Sequence, residues 1–356
     1  MKSLTPLTIC EKDLAVFIGR FSPVHAGHIN VVRRMLEDDA DRILILIGSS
    51  GDARNIRNPW TYAERKHMFE LTIVDHGLDI EKIRFAPIED HAYQNNLWML
   101  QVQQQVAKQC SEMEADGTRT NVALYGFLKD ETSAYINAFP QWGTPRTSMQ
   151  FNTMNATDVR DGYFADIDVG LIEGISSGVQ SFLDNFRSTA HYDYIRAEYD
   201  FQEKHEALWS EAPYPPTFNT VDALVVQSGH ILLIKRRNAP GKGTYALPGG
   251  YLNHGEVIEK GAIRELREET KLKVPIPVLE GSMKNTETFS DPKRSTRGRI
   301  ITHVTYFQLK DHFKLPTVKG ADDAERAIWV PLDEFITMRD IMFEDHFSII
   351  KSMLNI

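Results

Sequence analysis

The 356-residue sequence predicts a two-domain α/β protein: a parallel sheet covered by helices, followed by a smaller, hairpin-rich domain built around one helix. Three observations carry this. Through the first half, short apolar runs alternate with segments of helical periodicity, the rhythm of a parallel sheet with helical crossovers. Near the middle, Pro213, Pro215 and Pro216 interrupt the chain, and their fixed φ and missing amide donors stop helix and central strand alike. Beyond them, neighbouring apolar runs are joined by a turn dipeptide. The chain also exceeds the ~100–200 residues of one ordinary domain, so two cores are expected.

The elements follow in order. Leu14–Gly19, Arg42–Gly48, Lys82–Glu89 and Asn121–Gly126 read as strands, short and apolar on both sides as buried parallel strands are. Gly27–Glu37, Thr61–Val74 and Leu97–Gln109 carry apolar residues at helical spacing between them, which makes the first half Rossmann-like. Val179–Phe186 and Tyr192–Trp209 are the clearest helical pieces after Asp161. The proline-rich stretch 211–218 is read as a linker, giving domains at 1–210 and 219–356. Val221–Gln227 and His230–Lys235 flank Ser228-Gly229, a hairpin signal. One helix, Val257–Thr270, and β-type runs at Arg299–Leu309 and Ala327–Val330 complete the second domain.

Composition narrows the function classes. With 42% hydrophobic and 25% charged residues the chain is ordinary globular protein. Its longest purely aliphatic run, Ile43–Ile47, is far short of the ~20 residues that span a bilayer, and residues 1–10 hold no long apolar signal core. A cytoplasmic protein with no membrane contact is expected. Cys10 and Cys110 stand alone, which disfavours a disulfide framework or zinc site. A net charge of −9 disfavours nucleic acid as a partner but leaves anionic small molecules open, because local cations override the net sign. Homo-oligomerisation is left open.

The sharpest feature of the first half is Gly19-Arg20-Phe21-Ser22-Pro23-Val24-His25-Ala26-Gly27-His28, placed after a strand and opening a helix. Helix N-termini expose unpaired amides and a positive dipole end, Gly27 permits close approach, and two imidazoles add donors for phosphate oxygens. This string resembles the HxGH nucleotidyltransferases, and within them the nicotinamide-mononucleotide adenylyltransferases. Asn58-Pro59-Trp60-Thr61 with Glu64 and Arg65, Gly126-Phe127-Leu128-Lys129-Asp130, and Asn155-Ala156-Thr157-Asp158-Val159-Arg160 are similar to three further motifs of that family. Phe127 and Ala156 depart from its pattern, the latter removing a hydroxyl donor. The resemblance implies that ATP and nicotinamide mononucleotide give NAD, the mononucleotide phosphate attacking the α-phosphorus in line while pyrophosphate leaves with magnesium. His28 would meet the α-phosphate, His25 and Arg160 the β/γ end, and Arg20 the phosphates generally. Gly19, Phe21, Arg57, Asn58, Gly126, Lys129 and Asp130 would line the substrates. Trp60 is expected as a stacking platform for nicotinamide, with a core aromatic as the plain alternative. Thr157 is expected at phosphate, or as a helix cap.

In the second half Gly250, Glu256 and Arg264-Glu265-Leu266-Arg267-Glu268-Glu269 stand at the spacing of the Nudix box. At ~3.6 residues per turn, Glu265, Glu268 and Glu269 share a ~100° arc of one helix, a repulsive array that hard divalent cations relieve. Taken alone, three glutamates are more simply a solvated acidic face. The resemblance to Nudix hydrolases implies an α/β/α sandwich with a mixed sheet and Mg²⁺ or Mn²⁺ held by Glu265, Glu268 and Glu269, with Glu256 as ligand or structural partner and Arg264 orienting a glutamate. Lys271 replaces the last glycine of the box and is expected to cost the helix its left-handed cap. Arg294, Arg297 and Arg299 resemble the substrate strand of ADP-ribose hydrolases. Asp322, Asp323 and Glu325 are candidate bases, or a polar loop. Both halves together resemble bifunctional nicotinamide-mononucleotide adenylyltransferase/ADP-ribose pyrophosphatases. The alternative is an adenylyltransferase for another phosphate with a non-catalytic, ligand-sensing Nudix domain.

Overall fold

In the computed structural model, which describes residues 11–127, 137–148 and 155–356, five strands form the first sheet: β1 (Glu11–Gly19), β2 (Arg42–Ile47), β3 (Ile83–Pro87), β4 (Arg119–Phe127) and β5 (Arg146–Ser148). All pair in parallel, in the order β3-β2-β1-β4-β5. Helices α1 (Ala26–Glu37), α2 (Tyr62–Asp75) and α3 (Asn95–Met113) alternate with them, and α4 (Ala156–Phe164), α5 (Ser177–Phe186) and α6 (Ala190–Ala207) follow. The core explains the apolar runs: Leu14, Val16, Leu44, Leu46 and Leu124 pack with Val102 and Val106 of α3. After β1 the chain moves outward through β2 and β3, then returns to β4 on the other side of β1. In open α/β sheets ligands bind beyond the carboxyl ends of the strands at such a reversal.

The helix starts are locally encoded. Thr61 and Glu64 form a reciprocal capping box at α2, and Asn155 caps α4 by accepting from the amides of Thr157 (2.8 Å) and Asp158 (3.0 Å). The cap is therefore Asn155, not Thr157, which lies inside the first turn.

The second sheet is mixed. Its strands are β6 (Thr217–Gln227), β7 (His230–Arg236), β8 (Tyr245–Ala246), β9 (Gly249–Tyr251), β10 (Met283–Phe289), β11 (Arg299–Gln308) and β12 (Ala324–Pro331). The order is β10-β11-β6-β7-β12, with β8 on β7 and β9 on β6; β6 and β11 run parallel and the other pairs antiparallel. Ser228 (φ +48°) and Gly229 (φ +71°) make the two-residue turn between Gln227 and His230, with the left-handed angles that such hairpins need. Helices α7 (Ile258–Thr270), α8 (Ile276–Ser282), α9 (Leu332–Phe335) and α10 (His346–Leu354) complete this part. Val221, Ala223 and Val225 on one face of β6 pack against Ala262, Ile263 and Leu266 of α7.

The chain forms two compact units, Met1–Gly51 with Arg57–Tyr192, and Asp52–Ile56 with Asp193–Ile356. Their division thus falls within α6, and the proline segment leads from α6 into β6 inside the second unit. Among the described residues no helix is long and apolar enough to cross a membrane.

Candidate active sites

The histidine loop lies where β1 ends and α1 begins, at the sheet reversal. His25 is the N-cap of α1: its Nδ1 accepts from Gly27 N, and His28 Nδ1 accepts from His25 N, both at 3.2 Å. Since both Nδ1 atoms accept, the proton of each neutral ring sits on Nε2. The ring centroids are 3.8 Å apart. A Cβ on Gly27 would stand 2.9 Å from His25 Cε1, so only glycine leaves the ring in place. Phe21, at φ +52°, is buried edge-on against Phe17, His28 and Phe69 and supports the loop from below.

Cationic side chains converge on this loop. Arg160 of α4 donates to Ser22 O (2.5 Å) and Thr157 Oγ1 (3.0 Å). Burial, then the charges of Arg20 and Arg57, push its guanidinium down to about 10, so it stays charged at neutral pH while facing two further arginines.

In the second unit the glycines of β9 abut α7. A Cβ on Gly250 would lie 2.5 Å from Glu265 Oε1, and Gly249 N donates to Glu269 Oε2 at 2.9 Å. Arg264 holds three carboxylates: Glu256 through Nε (2.8 Å) and Nη2 (2.9 Å), Glu265 (2.7 Å) and Glu268 (3.0 Å) through Nη1. That grip holds Glu256 down at about 2. Burial pushes Glu269 up to about 8 despite the Gly249 amide, and Glu265 and Asp222 add to the rise. Glu265 is also raised by burial. Among the described residues no three acidic or histidine side chains converge in a ready metal cluster.

The comparisons match both halves. A Cytidylyltransferase-like family model covers residues 16–161 and a NUDIX domain model residues 216–353. The nicotinamide/nicotinic acid mononucleotide adenylyltransferase of Acinetobacter baylyi is 31% identical over 197 residues, 55% of this chain and 98% of that protein. The ADP-ribose pyrophosphatase of Methanocaldococcus jannaschii is 35% identical over 136 residues, 38% of this chain and 71% of that protein. A crystal structure from Francisella tularensis, a bifunctional NMN adenylyltransferase/ADP ribose pyrophosphatase complexed with AMP and Mn ion, aligns over 97% of this chain and 99% of its own with TM-score 0.88 and 34% identity. The chain belongs to the bifunctional NMN adenylyltransferase/ADP-ribose pyrophosphatase family.

Within this family frame several expected site residues take other roles. Trp60 is fully buried, its ring packed on Tyr163 and Phe164 of α4 and Phe186 of α5 at centroid distances of 6.0, 6.2 and 6.0 Å. Those helices close over the indole, so the expected stacking platform is a core residue here. Asn58 is buried and donates to Ser49 O (2.8 Å), fixing the loop after β2. Gly126 lies near the carboxyl end of β4, opposite Thr147, whereas Lys129 and Asp130 fall outside the described residues. Arg294 is buried and bound through Nε (3.0 Å) and Nη2 (2.8 Å) to Asp345, and Arg299 donates to Ser290 O (2.6 Å). Arg294 is thus engaged in a buried ion pair rather than open to a ligand, whereas Arg299 is only partly buried. Lys271 adopts the left-handed cap itself, at φ +49°, so the cap geometry survives the loss of glycine. Sequence reading passed over Arg236, which lies 4.1 Å from the Phe343 ring centroid, and gave no role of its own to Arg65, which it named only within the segment from Asn58 and which is buried.

Proposed function

We infer that the first unit transfers the adenylyl group of ATP to nicotinamide mononucleotide, forming NAD and pyrophosphate, and that the second hydrolyses ADP-ribose to AMP and ribose 5-phosphate. The observation that carries the first reading is the histidine pair. Two Nε2–H donors, set by main-chain hydrogen bonds at a helix N-terminus, stand beside Arg20, Arg57 and Arg160 at the sheet reversal. Phosphoryl chemistry of this kind needs positioning and charge neutralisation rather than a covalent intermediate. His28 donates to the α-phosphate as its charge develops, while His25 and Arg160 hold the β/γ end. Arg160 also ties Ser22 to Thr157, so the phosphate loop and α4 are held together.

For the second reading the donor set suits a divalent cation. Glu265, Glu268 and Glu269 are hard oxygen ligands on one helical face, and Glu269 and Glu265 are raised first by burial and further by neighbouring carboxylates, a cost to their charged forms that a bound cation would offset. When bound, the cation neutralises pyrophosphate oxygens and activates water, and Mg²⁺ is the ion proposed, with Mn²⁺ as substitute. Arg264 aligns Glu265 and Glu268 while Glu256 balances its charge. Gly250 keeps the space beside Glu265 clear, and Gly249 N orients Glu269.

The test uses the full chain with ATP plus nicotinamide mononucleotide, and separately with ADP-ribose plus Mg²⁺, products being resolved by chromatography. His28→Ala should lower transfer on the order of 10²–10³-fold and spare hydrolysis. Glu268→Gln should abolish hydrolysis and spare transfer. Loss of both activities in a folded single variant, or transfer unaffected by His28→Ala, contradicts the assignment.

A further inference from the structure

We propose that Arg65 is a positioning residue for adenylyl transfer: its guanidinium locks the loop after β1 to the loop after β2 and thereby sets where the phosphate donors stand. Arg65 is on the first turn of α2, after the Thr61-Glu64 box, and has no exposed surface. Its Nη1 donates to Arg20 O (2.7 Å) and Gly48 O (2.6 Å), its Nη2 to Ser49 O (3.1 Å) and its Nε to Thr61 O (3.4 Å). One planar fork therefore gathers carbonyls from the ends of two adjacent strands and from the start of a helix, an arrangement that the single ammonium of lysine cannot reproduce.

Which carbonyls it gathers matters more than how many. Phe21 and Ser49 are non-glycine residues in the left-handed region, at φ +52° and +49°. Arg20 O belongs to the peptide entering Phe21, and Gly48 O and Ser49 O to the peptides on either side of Ser49. Arg65 thus holds the peptide that enters Phe21 and both peptides that flank Ser49, and strain of this sort persists only where the surroundings over-determine it. Downstream of Phe21 lie Ser22, which receives Arg160, and the His25 and His28 pair. Ser49 is held further by Asp90, through Oγ at 2.6 Å, and by Asn58. The Arg65 side chain is fully buried on these carbonyls, so its effect runs through the geometry of Arg20, His25 and His28.

This inference rests on the transferase reading above, so turnover of the parent with ATP and nicotinamide mononucleotide is measured first; absence of turnover would sink that reading, not the role of Arg65 alone. Arg65→Lys and Arg65→Ala are then compared in the full chain, with ADP-ribose hydrolysis and thermal unfolding as controls for folding. For Arg65→Lys, kcat for transfer is expected to fall at least tenfold, with the two KM values within about threefold and hydrolysis unchanged, because small misplacements of reacting groups cost turnover up to ~10²-fold. Millimolar methylguanidinium should restore part of the kcat of Arg65→Ala. If Arg65→Lys keeps kcat within twofold, or if transfer falls only in proportion to the folded fraction and methylguanidinium restores nothing, the residue merely stabilises the fold and the proposal is wrong. Should Arg65→Ala fail to fold, the lysine variant decides alone.

Discussion

Replacing Trp60 by alanine separates a core residue from a substrate platform. The indole has no exposed surface and is enclosed by Tyr163, Phe164 and Phe186. Truncating a fully buried tryptophan typically costs about 3–5 kcal/mol, a large share of the roughly 5–15 kcal/mol that holds a domain folded. Since two of its partners belong to α4, which also carries Thr157 and Arg160, loosening this cluster should impair both substrates together. Trp60→Phe should cost much less. It keeps an aromatic ring in the cluster and removes an indole N–H that is buried with no acceptor among the described residues, a group whose unsatisfied burial costs about 1–3 kcal/mol. Urea unfolding of the first unit, read beside KM for ATP and for the mononucleotide, decides the matter. If Trp60→Ala unfolds within about 0.5 kcal/mol of the parent, as a surface change does, and raises only the mononucleotide KM, the ring is a platform and the core assignment is refuted.

Two further changes probe the second unit. Burial pushes the Glu198 carboxyl up to about 6, above an unfolded value near 4.5, so it favours the fold fully below pH 4.5 and that contribution is lost as pH rises through 6. Glu198→Gln keeps an acceptor for Gly241 N (2.8 Å) without a charge, and should add up to about 2 kcal/mol at pH 8 and little at pH 4. Equal stability curves for variant and parent across pH 4–8 would disprove it. Lys271→Gly should stabilise by about 1 kcal/mol, because a non-glycine residue in the left-handed region carries roughly that penalty, and a fall in Tm would show that the lysine side chain matters more than its backbone.

What the sequence disclosed depended on whether the signal was local. Strands β1 and β2 are buried along most of their length, and β3 and β4 each keep a buried apolar stretch, so their apolar runs mark them within a few residues, and the histidine string and the Nudix glutamates hold their geometry within one loop or one helix. Strand β10 escaped notice because Lys284, Asn285 and Thr286 are exposed on an edge strand and give no apolar alternation. Trp60 and Arg294 misled for a different reason. A tryptophan in a loop reads as exposed until helices about a hundred residues later close on it, and an arginine reads as a ligand contact until Asp345 is seen beside it. Arg65 is the converse: named in the sequence only as the end of a family-like segment, it takes its role from carbonyls brought to it from Arg20, Gly48 and Ser49.

The net charge of −9 and a polyanionic substrate are reconciled by how the first site divides its work. Arg20, Arg57 and Arg160 come from three separate segments, and Arg160 is depressed to about 10 by burial and by the other two, which means that their mutual repulsion is built into the folded state. Each phosphate that enters relieves that repulsion, so anion binding is favoured by an unfavourable interaction already present rather than by the charge of the whole chain. The imidazoles contribute direction instead. Their Nδ1 atoms accept at the helix start, which fixes each ring's orientation, and a donor oriented before the reaction needs no reorganisation as charge develops on the α-phosphate. Arginines that supply charge and histidines that supply aim fail differently when removed. Loss of Arg20 or Arg57 should weaken binding of the polyphosphate most at low salt, whereas loss of His28 should lower turnover at any salt concentration.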